Sequence, residues 1–123
     1  MHRYAQMAAA TVLILFFGGA GVAKLINPEM FYDQFARFGL PDWFVLVTGA
    51  VELLAAALMA FFNDLRRRLG AVMVAATMAV ATSLHLAHDP LPMAAPAFLL
   101  MLLAGYLALV PPAQRGEQRR TAA

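Results

Sequence analysis

Four long apolar runs, separated by short polar segments, occupy most of the chain: about Tyr4 to Ile26, Pro41 to Phe62, Leu69 to Ala87 and Leu91 to Val110. A helix rising about 1.5 Å per residue needs roughly 20 residues to cross a hydrocarbon core about 30 Å thick, and each run has about that length. None keeps the polar face that a helix of a water-soluble bundle would need. The pattern predicts an all-α fold, an antiparallel bundle of four transmembrane helices at about 4–26, 41–62, 69–87 and 91–110. Residues 1–112 then form a single membrane domain, and 113–123 read as a disordered cytoplasmic tail, with Pro111-Pro112 ending the fourth helix. Arg3 ahead of an apolar stretch resembles a secretory signal, but the run is longer than a signal core and is read as a membrane helix.

Between the first two runs, Asn27 to Gly39 carries its own start and stop signals. Asn27 suits an N-cap, Pro28 the first helical position, Glu29 the positive end of the dipole, and Gly39 a C-terminus. Phe31, Phe35 and Phe38 fall on one face and Glu29, Asp33 and Arg37 on another. This predicts a short amphipathic helix at about 28–38, lying at the membrane surface or capping the bundle. Its phenylalanines read as packing or as a lid, and Trp43 just beyond them belongs in the headgroup region. Asn63 to Arg68 (NDLRRR) is expected to be the tight turn of the hairpin between helices two and three.

Composition agrees with the pattern. The chain is 63% hydrophobic and only 13% charged, against about 25% charged in soluble domains. The absence of cysteine removes disulfides, thiol redox chemistry and thiolate metal sites. The sequence pI of about 9.5 comes from arginines outside the apolar runs. Such clusters set orientation; they give no reason to expect a nucleic-acid partner. Arg3, Arg66 to Arg68, Arg115, Arg119 and Arg120 fall on one side and only Lys24 and Arg37 on the other. By the positive-inside rule both termini are cytoplasmic in a multi-pass cell-membrane protein, with the amphipathic segment outside.

One carboxylate interrupts the second run. Glu52 lies near the bilayer midplane by rise counting, where a charge costs roughly 2.5 to 3.5 kcal/mol, so it must face other helices and find a partner or a proton. Thr48 lies one turn away on the same face, with Gly49 beside it, which marks that face as inward. Lys24, at the end of the first helix, is placed either to snorkel to the interface or to turn inward to a carboxylate. Rise counting sets Lys24 and His85 about 8 to 14 Å above Glu52, so a water- or histidine-mediated link is the natural expectation. Lys24, Glu52, His85 and Thr48 are the candidate ligand or proton site, with Phe31, Phe35 and Trp43 as its apolar wall or lid. His85, His88 and Asp89 give three local ligands at most, so no metal is expected. Gly19 with Ala23, and Ala71, Ala75, Ala79 and Ser83, supply small-residue stripes for close helix packing or for a partner.

Gly21-x-x-Lys24-Leu25, the F-x-x-F-G-L-P segment from Phe35 to Pro41, Gly49-Ala50-Val51-Glu52, Arg68-x-Gly70-Ala71 and Met78 to His85 occur in an order and spacing that resembles the DoxX-like membrane proteins. The resemblance, over about Gly18 to Leu109, implies a four-helix membrane bundle and carries over Lys24, Glu52 and His85 as a shared polar set. It implies no catalytic residue and no single activity, since relatives include a subunit tied to thiosulfate:quinone oxidoreduction, a component of an oxidoreductase complex and receptor-assembly factors. Two functions are therefore expected to compete. One is an accessory or binding subunit, without catalysis of its own, acting through a partner membrane protein, a homo-oligomer or a bound lipid. The other is a membrane subunit of a quinone-linked oxidoreductase, thiosulfate- or thiol-related, with quinone and protons handled around Glu52, Lys24 and His85.

Overall fold

The structure, a computed structural model, describes residues 2–61 and 63–111. The expected tail at 113–123 lies outside the described residues. Among the described residues, four long helices and one short one make up the fold: α1 (His2–Ile26), α2 (Tyr32–Arg37), α3 (Trp43–Phe61), α4 (Asp64–His88) and α5 (Ala95–Leu109). Single 3₁₀ turns, Pro28–Phe31 and Leu91–Ala94, lead into α2 and α5. Among the described residues there is no strand, and four helices are long and apolar enough to cross a membrane: Arg3–Ile26, Trp43–Ala60, Asp64–His88 and Leu91–Leu109.

The helices neighbour one another in the cyclic order α1, α3, α4, α5, with α1 on α3 and α4 on α5 the most extensive faces. Leu13, Phe17, Met59, Val74 and Ala104 fill the centre. Only 22 to 33% of the residues in the four spanning windows are buried, while Leu15, Leu54, Val80, Leu99 and many other large apolar side chains point outward. A surface of that kind is stable only against lipid.

Close approach is set by three glycines. A Cβ on Gly21 would sit 2.8 Å from the Gly49 carbonyl oxygen, one on Gly49 2.8 Å from Lys24 Cβ, and one on Gly70 2.6 Å from the Ala55 carbonyl oxygen. The stripe expected at Gly19 and Ala23 is displaced by one helical face, for Gly19 has nothing within 4 Å. In α4 the buried stripe is Gly70, Val74, Met78 and Thr82, with Ala71 beside it. Ala79 and Ser83, expected in the packing face, are exposed. Small residues allow two contact faces on one helix, and the larger apolar side chains of the alternative face decide which one turns inward.

Asn63 to Arg68 is not a turn. The Asn63 side chain accepts from the Arg66 backbone N–H at 3.1 Å, an N-cap, and the helix runs from Asp64. Asp64 then meets the positive dipole end, and three arginines, good helix formers, continue it. The connection to α3 is correspondingly shorter. At that end the Gln6 side chain donates to the Pro111 carbonyl at 2.8 Å, and Arg68 to the Val110 carbonyl at 2.9 Å, joining the starts of α1 and α4 to the end of α5.

Candidate functional site

At the opposite end, the glycine contact between α1 and α3 builds the polar centre. Gly49 leaves room for the Lys24 stem to pass across α3, so the ammonium reaches the next turn. Lys24 Nζ lies 3.1 Å from Glu52 Oε1 and donates to Oε2 at 3.2 Å. Both side chains are buried, 11% and 5% exposed. The expected mediated link is thus a direct ion pair, because rise counting along straight separate helices omits the inward lean that Gly21 and Gly49 permit. Lys24 does not snorkel. Its ammonium stands 4.8 Å above the Phe31 ring, a cation–π contact that replaces part of the lost hydration.

His85 does not join this pair. Its Nδ1 is 2.7 Å from Asp89 Oδ2, while Arg37 Nη1 donates to Asp89 Oδ1 at 2.8 Å. The Asp89 carboxylate is 1% exposed. Phe38 stands edge-on to His85 at 5.2 Å and tilted against His88 at 5.7 Å. Through these contacts α2 is fastened to the end of α4.

Between α3 and α4, below α2, is a cavity of about 280 Å³. Gln34, Phe35, Phe38 and Leu40 roof it; Phe44, Val47, Thr48, Val51 and Glu52 form one wall; Thr77, Met78, Val80, Ala81, Leu84 and His85 form the other, with Lys24 at its edge. Its walls are apolar apart from a few convergent groups, the usual make-up of a small-molecule site. Of the expected set, Lys24, Glu52, Thr48, His85 and Phe35 line the cavity, Phe31 stacks on Lys24 from outside it, and Trp43 is 63% exposed and elsewhere. The Thr48 and Thr77 hydroxyls donate to their own helix, to the Phe44 and Met73 carbonyls at 2.8 Å each.

Sequence reasoning missed the Arg37–Asp89 latch and the packing of Phe38 on His85. Asp89, four residues after His85, was within reach of a helical-pair argument. Arg37 was not, since 52 residues separate it from Asp89 and only the folded chain joins them.

A family model described as the DoxX-like family matches residues 8–108, from α1 through most of α5. The chain belongs to the DoxX-like family. No curated protein and no solved structure matches it. In this DoxX-like protein the matched region contains every residue of the cavity, the buried ion pair and the latch.

Proposed function

We propose that this small multi-pass protein is a membrane binding module, holding an amphipathic molecule, a lipid or a quinone, in the cavity beneath α2 and acting as an accessory subunit beside a partner membrane protein. The observation that carries this reading is the cavity itself: apolar walls from α3 and α4 converge on a buried Lys24–Glu52 pair and on His85. A bundle whose polar groups served only to hold it together would have no reason to leave about 280 Å³ beside them. Gly19 on α1 and the Ala79 and Ser83 stripe on α4, exposed on the lipid side, are the small-residue faces on which a partner or second copy could pack closely. The arginine count supports cytoplasmic termini in the cell membrane, with the cavity in the outer half.

A second reading, a quinone-linked redox subunit, is favoured by the 2.7 Å contact between His85 and Asp89, a carboxylate holding an imidazole at the cavity wall. A quinone would supply electron and proton carriage there; Lys24, Glu52 and His85 are the residues that would hold its head.

The test is a melting assay on the purified protein with added quinones and native lipids. A ligand at a hundredfold excess over its Kd stabilises by about 2.7 kcal/mol. A clear upward shift, lost in His85→Ala and Glu52→Gln, is expected. No shift with any of them would leave a partner-binding bundle without a ligand.

A further inference from the structure

The chemistry of the cavity narrows what it can take, given the binding reading above. Asp89 is a carboxylate and can only accept, so the proton shared at 2.7 Å sits on His85 Nδ1. Arg37 already balances Asp89, and Lys24 already balances Glu52. A neutral imidazole that donates through Nδ1 presents Nε2 as an acceptor, and no hydrogen bond to that nitrogen is made among the described residues. Both threonine hydroxyls in the lining spend their protons on their own helices, and the ammonium of Lys24 is held by both oxygens of Glu52. The charges at the cavity are thus paired, and the Gln34 amide adds an uncharged donor and acceptor at the α2 side.

The opening adds a second constraint. Val47 and Val80 line the cavity and are also 44% and 59% exposed, one on each spanning helix, so the rim between α3 and α4 faces the lipid. The α2 end is closed by Phe35 and by the Arg37–Asp89 and Phe38–His85 contacts. About 280 Å³ falls just under the roughly 300 to 1,000 Å³ of sites that enclose a drug-sized molecule. It accommodates a ring-sized head while a chain stays in the bilayer.

We propose that the cavity takes the uncharged hydroxyl head of a chain-bearing alcohol or phenol, entering sideways from the lipid between Val47 and Val80 and donating its O–H to His85 Nε2.

A matched ligand series tests this on the full chain in lipid nanodiscs: 4-dodecylphenol, its methyl ether 4-dodecylanisole, 4-dodecylbenzoate and the chainless 4-ethylphenol, with equilibrium binding measured for each. The phenol should bind at least tenfold more tightly than the ether, the benzoate and the short phenol. In His85→Phe the preference for phenol over ether should vanish. Monolaurin in place of dodecylphenol separates a glycerolipid from an aromatic alcohol, and a matching preference for its free hydroxyls over a fully methylated form would equally support the proposal. Ether equal to phenol, or benzoate equal to phenol, would overturn the hydroxyl and neutrality assignments while leaving the cavity a binding site. A short phenol binding as well as the long one would overturn sideways entry. A phenol preference that persists in His85→Phe would overturn His85 as the acceptor. Binding of none of the four would overturn the binding reading with it. The ether and benzoate comparisons need no variant, so they decide the hydroxyl and neutrality assignments even if a His85→Phe chain fails to fold.

Discussion

At the scale of single residues, the Lys24–Glu52 pair dominates. Two buried charges 3.1 Å apart stabilise less than their Coulomb attraction suggests, because both lost water; removing one partner is far worse than removing both. Glu52→Ala should lower stability in detergent by about 3 kcal/mol or more, Glu52→Gln by less, and the double variant Lys24→Met with Glu52→Leu should recover most of the loss. Chemical denaturation followed by circular dichroism reads all three. Equal losses for the single and double variants would mean that the pair is not coupled. The need for a partner was legible in the sequence, since a carboxylate at mid-span has few tolerable surroundings. That Lys24 meets it directly was not, because the reach of Lys24 depends on a backbone approach that one glycine in each helix jointly sets.

At the scale of elements, helix boundaries followed from local chemistry where it was unambiguous. Gly39 at φ +78° ends the α2 segment, a conformation glycine adopts without strain, and Pro28 opens its first turn. Asn27 stands at the expected cap position without a side-chain bond. The start of α4 departs from the expected turn because the Asn63 cap outweighs the polarity of the residues after it. Small-residue faces were harder still, since periodicity gives the spacing of a stripe but not which of two adjacent stripes meets a neighbour. Gly49→Ala and Gly70→Ala, whose new methyls meet neighbours at 2.8 and 2.6 Å, should each cost about 1 to 3 kcal/mol. Gly19→Ala, in open space, should be neutral or slightly stabilising within a helix. Thermal melts of the three variants check this ordering. The latch belongs to the same scale: Arg37→Ala should raise amide hydrogen exchange across residues 28–40 while leaving α3 and α5 protected.

For the whole molecule, the outward apolar surface and the arginine distribution make a topological statement that a chain without native cysteine allows to be tested directly. Asp33→Cys, exposed on α2, should react with an impermeant thiol reagent on intact cells, and Leu65→Cys, 75% exposed at the start of α4, only after the inner face is opened. The reverse pattern would invert the orientation. The antiparallel bundle was legible from four apolar runs alone. The cavity was not, since it exists only because α3 and α4 meet backbone to side chain near Gly70 and leave space at the α2 end, a relation between helices that no single run encodes. The central claim is that this space holds a molecule. Native mass spectrometry of the protein released from gentle detergent tests it most directly, comparing the parent with Ala81→Phe, whose ring would fill the cavity from α4. The parent should carry one tightly retained amphipath per chain and Ala81→Phe none, with both folded; a bare parent, or the same adduct on both, would contradict the account.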